Sequence, residues 1–315
     1  MSGGPIFIAG MYPRSGTNHL MDLLCVHPDC APPAPIWEDY LLAHADHLAG
    51  YVEAVTRHWS SAWGAGEAEA RALRVALGDG IAGFLRGLAR APRVVTKTPS
   101  VAGLPHFAAL FPDAHLVVLV RDGRAVVESG VRSFGWFRDG AIHGWARAAR
   151  DVLAFEASAR GSALRYRRVH YEELIARPEA TLRGLLDFLG LDAARYDFAR
   201  AAALPVRGSS TQGRAPGDRV HWGAVARSAD FSPSERFRHW SRAQHARFDW
   251  IAGDVLHALG YAPAAPAGGP ARAAWNHLLD LRLAAALRLR AAPSVLRAAL
   301  QVLRAALQAF RSARA

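Results

Sequence analysis

Lysine is almost missing from this chain. Among 38 basic residues in 315, a single position, Lys97, is lysine and every other cation is arginine. Lysine carries a compact, titratable point charge on a flexible stem, which a planar guanidinium does not reproduce. The lone exception is therefore a candidate for chemistry. Cysteine is as scarce, with two copies, Cys25 and Cys30. Two thiols exclude a disulfide framework, and their spacing with no second pair matches zinc sites poorly. They are expected as core or near-core thiols in a reducing compartment. No uninterrupted apolar run reaches the ~18 residues of a membrane span. Only four residues, none of them basic, precede the first apolar run, so no secretory leader is expected and the expected location is cytoplasmic.

Acidic residues nearly vanish toward the C-terminal end. Residues 271–315 hold eight arginines against one acid, Asp280, and so carry seven of the eleven net positive charges. The remainder is close to balanced, and nucleic-acid binding is not expected of it. In the tail, Leu296, Leu300, Leu303, Leu307 and Phe310 follow helical spacing, with Arg297, Arg304 and Arg311 beside them every seven residues. That pattern predicts a basic amphipathic helix. It would pack on the main domain or a homodimer partner, or make a peripheral contact with an anionic membrane at the inner surface. Residues 262–270 read as a linker by composition, so the expected division is a domain at 1–261, a linker at 262–270 and a helical tail at 271–315.

What is present is an ordinary globular composition, 51% hydrophobic and 21% charged, enough for a sizeable core. Short apolar runs at 5–10, 93–96, 115–120 and 164–170 read as buried strands. Helices are predicted at 17–26, 38–60, 67–90, 104–111, 122–132, 142–160, 171–176, 178–189 and 232–259, with residues 28–35 an irregular connection and 205–230 a long functional loop. Strands alternating with helices predict an α/β fold, a central parallel sheet flanked by helices. Ligands in such sheets bind beyond the carboxyl ends of the strands.

Two sequence stretches fall at such ends. The first is Tyr12-Pro13-Arg14-Ser15-Gly16-Thr17-Asn18. A strand turning sharply into a helix aims backbone N–H groups and the positive helix end at one point, which suits an anion. It is not a Walker A loop, because five residues rather than four separate Gly10 from Gly16 and Thr17 stands where a lysine is required. The second is Arg121-Asp122-Gly123-Arg124, with Ser129 further along. A cation opening this loop suits phosphate better than a metal.

These two stretches, with Val169-His170-Tyr171-Glu172-Glu173-Leu174 and the run from Pro178 to Leu191, resemble the signature sites of sulfotransferases. Those enzymes use 3′-phosphoadenosine-5′-phosphosulfate (PAPS) as donor. The resemblance covers residues 5–191 well and 204–222 loosely. It implies a P-loop-like sulfotransferase fold and a metal-independent transfer of a sulfuryl group to a hydroxyl of a small-molecule, lipid or carbohydrate acceptor. It implies that Arg14, Ser15, Gly16, Thr17 and Asn18 hold the 5′-phosphosulfate and that Arg121 and Ser129 grip the 3′-phosphate. Tyr171 would lie near adenine, and Arg207, Gly208 and Ser209 would form a late loop over the 3′-phosphate. Two positions depart from the pattern. His19 stands where one branch of the family has a tryptophan that stacks on adenine, and Gly123 replaces a more usual proline.

Sulfuryl transfer needs in-line geometry and cations where the leaving phosphate gains charge. Arg14 and Lys97, the latter placed just after the second strand, would supply them. Glu38 is the candidate general base, with His106 and His44 as runners-up. Two alternatives stay open on sequence: a P-loop-like kinase, which would need magnesium and a lysine after Gly16, and a non-catalytic nucleotide-binding or membrane-associated protein. The aromatics Trp37, Tyr40, Trp59 and Trp63, and Phe134, Trp136, Phe137 and Trp145, would line an acceptor pocket or pack the core.

Overall fold

The apolar run that opens the chain is strand β1, Ile6–Gly10, with all five residues buried. A computed structural model describes residues 3–159, 163–205, 207, 223–226, 232–263 and 269–291. After β1 come α1 (Thr17–Leu24), β2 (Cys30–Ala31), α2 (Ala45–Thr56), α3 (Glu67–Leu88), β3 (Arg93–Thr98), α4 (Phe107–Leu110), β4 (His115–Val120), α5 (Gly123–Phe134) and α6 (Arg138–Ala159). They are followed by β5 (Tyr166–His170), α7 (Tyr171–Ala176), α8 (Pro178–Leu189), α9 (Phe198–Ala202), α10 (Arg242–Ala258) and α11 (Pro270–Ala291). The five strands lie in the order β2-β3-β1-β4-β5, and every pairing is parallel.

Alternation along the strands explains the two layers. Phe7 and Ala9 of β1, with Leu116, Val118 and Val120 of β4, enter one apolar cluster with α5, α6 and α10. Ile6, Ile8, Val117 and Leu119 enter the other, with α1 and α8. Side chains of successive strand residues point to opposite faces, so a sheet covered on both sides reads as an unbroken apolar run. Each such Val, Leu or Ile contributes about 1.5–3 kcal/mol by leaving water.

The structure corrects several boundaries. Strand β3 runs through Thr98, so Lys97 lies within it rather than after it. A short pair, Cys30–Ala31 against Arg93–Val94, adds an edge strand inside the expected irregular connection. Residues 38–41 are not helical, and helix α2 begins only at Ala45. The predicted helix over 232–259 is a short 3-10 turn at Pro233–Glu235, then α10. Gly123 has a packing reason: a Cβ there would lie 2.6 Å from both Trp145 and Phe248. Trp145 is fully buried in the core. Both cysteines are free thiols, Cys30 buried and Cys25 partly so.

Helix α11 begins the basic tail. The buried Arg247 of α10 donates to Asp139 at 2.9 Å and to Asp280 at 2.6 Å, and to the main-chain oxygen of Asn276 at 3.2 Å, joining α6, α10 and α11. Residues 292–315, which hold the predicted amphipathic repeat, lie outside the described residues, as do 264–268 of the expected linker. No helix among the described residues is long and apolar enough to cross a membrane.

Candidate functional site

Strand order places β1 at the switch point, with chain departing to either side of it, which is where such sheets leave a crevice. The loop leaving β1 is drawn tight by its own side chains. Ser15 Oγ donates to Tyr12 O at 2.6 Å and accepts from Tyr12 N at 3.2 Å, so this hydroxyl closes the turn rather than facing outward. Arg14 and Gly16 both adopt left-handed backbone, at φ 76° and 101°. For arginine that conformation costs about 1–3 kcal/mol, a strain that tends to persist at binding sites. At Gly16 a side chain is excluded twice over, since a Cβ would also lie 2.5 Å from the Tyr171 ring. Helix α1 starts directly after Gly16 with no side-chain cap, and its first-turn N–H groups have no partner within the helix.

On the β3 side, alternation sorts the residues that matter. Lys97 shares a face with Val95, beneath α1, while Thr96 and Thr98 face the other way. The acidic pair Glu38-Asp39 straddles this strand end. Asp39 accepts hydrogen bonds from Thr96 Oγ1, from Thr98 Oγ1 at 3.0 Å and from Leu41 N at 2.7 Å, and its own N–H reaches Lys97 O at 3.1 Å. Glu38 is thereby turned to the opposite face, where its Oε1 accepts from Lys97 Nζ at 2.9 Å. The lysine is 2% exposed. Burial lowers its ammonium below the usual range, and Glu38, then Asp39 and Asp22, oppose that shift. A cavity of about 600 Å³ opens here, lined by Asn18, Met21, Asp22, Trp37, Glu38, Lys97 and Arg207.

On the β4 side, two arginines converge on one serine and a third packs beside them. Arg14 Nε donates to Ser129 Oγ at 3.0 Å, and Arg236 Nη1 donates to the same oxygen at 3.1 Å. Arg121 Nη1 donates to Arg14 O at 2.8 Å, and its guanidinium lies 4.6 Å above the Tyr171 ring. Arg121 is 4% exposed, and its Nε is buried without a hydrogen-bond partner. Burial, then the charge of Arg121, pushes the Arg14 guanidinium down to about 10. Burial, then Arg121 and Arg14, pushes Arg236 to about 9. Like charges gathered out of water are costly unless an anion joins them.

Most of the expected residues come together. Arg14, Gly16, Thr17, Asn18, Lys97, Glu38, Arg121, Ser129 and Tyr171 all sit along the carboxyl ends of β1, β3, β4 and β5. Ser129, fully buried, meets Arg14 across the crevice. Asp122 pairs with the buried Arg124 at 2.6 Å rather than with Arg121. Arg207 lies 3.6 Å from Asp22, on the Lys97 side, and Gly208 and Ser209 are outside the described residues. His106 is partly buried and His44 is exposed, stacked on His47, and neither lines the cavity. Among the described residues, one group has metal-ligand proximity, the exposed His44, Asp46 and His47. Arg236 went unrecognised because it follows a short turn in a segment that reads as helix. Asp22 had a signal, being four residues after Asn18 on one face of α1.

The chain is similar to known proteins at three levels. The family model described as "Sulfotransferase family" matches residues 5–195. Protein-tyrosine sulfotransferase A of Caenorhabditis elegans is 27% identical over 198 residues, 59% of this chain and 50% of that protein. Protein-tyrosine sulfotransferase 1 of Danio rerio is 27% identical over 206 residues, 59% of this chain and 53% of the relative. The chain thus spans about half the length of these two relatives. Among solved structures, the sulfotransferase domain of the Synechococcus PCC 7002 olefin synthase superposes with a TM-score of 0.53 at 22% identity, covering 83% of this chain and 96% of that domain, a likeness of fold.

Proposed function

Since the chain belongs to the sulfotransferase family, we propose that it transfers a sulfuryl group from PAPS to a phenolic hydroxyl, with Lys97, Glu38 and Arg14 at the reacting end. The observation that carries this reading is a single crevice with two anion-receptive ends. One is the Gly16 loop beside Lys97. The other is Ser129 with Arg236 bonded to it and Arg121 alongside, while Arg14 reaches from the loop to Ser129 and so spans the two ends. PAPS carries anionic groups at two separated positions and fits that pattern. The orphaned Arg121 Nε supports the fit. Arg236, rather than Arg207, joins Arg121 as the second cation assigned to the 3′-phosphate.

In the proposed reaction the acceptor oxygen forms a bond to sulfur as the bond from sulfur to the 5′-phosphate oxygen breaks. Glu38 takes the acceptor proton, and adenosine 3′,5′-bisphosphate leaves. The Lys97 ammonium, Arg14 and the first-turn N–H groups of α1 meet the negative charge that grows on the leaving phosphate. These fixed cations do the work that a kinase of similar fold assigns to magnesium and a loop lysine. The acceptor class rests on Trp37, which lines the cavity and is 55% exposed, and on the names of the two relatives. Together they favour a tyrosyl side chain or small phenol over the lipid and carbohydrate acceptors expected from sequence.

Calorimetry tests the donor site. Adenosine 3′,5′-bisphosphate is expected to bind at least about tenfold more tightly than AMP, the worth of one set of charge-assisted hydrogen bonds. Arg236→Met is expected to remove most of that preference. Equal affinity for the two nucleotides would overturn the donor assignment. In EDTA, label from PAPS but not from ATP should reach a tyrosine-containing peptide.

A further inference from the structure

We infer that Tyr40 is a positioning residue that holds the Glu38 carboxylate in its proton-accepting orientation, an inference that rests on the sulfuryl transfer proposed above. Tyr40 Oη donates to Glu38 Oε2 at 3.0 Å while Lys97 Nζ holds Oε1 at 2.9 Å. The carboxylate is gripped at both oxygens, yet each oxygen keeps a second lone pair free to accept. The two grips come from different directions. Lys97 rises from the strand floor and lines the cavity, whereas Tyr40 is not among the cavity residues and is 44% exposed. A side chain of Glu38's length, 36% exposed, would sample several rotamers if the lysine alone held it.

The backbone supports this role. Tyr40 has φ 52°, one of two non-glycine residues with left-handed backbone among those described, and the other is Arg14. Such strain persists only where the surroundings over-determine it. Here Asp39 supplies the constraint, pinned by Thr96, Thr98 and Leu41 N. The reversal at 38–40 sends Asp39 to one face of β3 and brings the Tyr40 phenol back onto Glu38. Burial and then the hydrogen bond to Glu38 raise the phenol's pKa above its usual value, so it remains a donor.

The test uses PAPS with two probe acceptors, a tyrosine-containing peptide and 4-nitrophenol. Tyr40→Phe keeps the ring and removes only the donor. With the peptide, kcat is expected to fall about tenfold while both KM values stay within about twofold. With 4-nitrophenol assayed at a pH above its own pKa, so that its proton is largely gone before reaction, the loss should shrink toward unity. In a Glu38→Gln background the same substitution should change kcat by less than about twofold, because the two residues act as one unit. An unchanged kcat in Tyr40→Phe, or the same tenfold loss in the Glu38→Gln background, would overturn the role of Tyr40 and leave the activity standing. No sulfated product from the unaltered protein would overturn the activity and this inference with it.

Discussion

Lys97→Met is expected to lower kcat by about 10²–10³-fold or more, the usual consequence of removing a preorganised charge from a reacting centre. Binding of adenosine 3′,5′-bisphosphate is expected to stay within about threefold, because the affinity resides in the guanidinium end of the crevice. Methionine matches the lysine stem in length and fills the same buried space under α1, so the change is one of charge more than of volume. Stability should not suffer. The folded ammonium has a pKa lowered by burial, so its charged form is less favoured folded than unfolded. The deficit applies at every pH below the folded value and fades as pH rises through it. Methionine carries no such charge into the interior. Glu38, left without its ammonium, keeps the Tyr40 hydrogen bond and partial solvent contact. An equal or higher melting temperature with lost turnover is therefore the expected pair of results. Turnover at the level of the unaltered protein would remove Lys97 from the mechanism.

What sequence made legible follows from the range over which each signal acts. Strands β1 and β4 are unbroken apolar runs, and burial on both faces leaves no other reading for them. The Arg14–Thr17 loop and Arg121 were legible because each directly follows such a strand, where the sheet forces the crevice to form. Lys97 stood out by rarity. Its position inside β3 did not, because the strand is extended through Thr98, where Thr96 and Thr98 hold Asp39, a contact 57 to 59 residues away in sequence. The same contact pulls residues 38–41 out of the helix that their composition predicts. Arg236 shows the limit most clearly. It is one arginine among many, six residues past the expected 205–230 loop and inside the expected 232–259 helix, and its bond to Ser129, 107 residues earlier in sequence, reveals its use.

Glu38→Gln carries the sharpest test of the chemistry. The amide is nearly isosteric, and its oxygen can still accept one of the two hydrogen bonds that fix the carboxylate, from Lys97 or from Tyr40. What it cannot do is take a proton. If proton removal from the acceptor accompanies sulfuryl transfer, kcat should fall by about 10²–10⁴-fold, the usual share of a positioned base. The KM for PAPS should barely move, since Glu38 faces the lysine end and not the Ser129 end. The fall should also depend on the acceptor. A phenol that is already ionised needs no base, so 4-nitrophenol should recover much of the lost rate while a tyrosyl peptide should not. A purely structural glutamate, present only to neutralise Lys97, would produce the same loss with both acceptors, and that equality would eliminate Glu38 as the base.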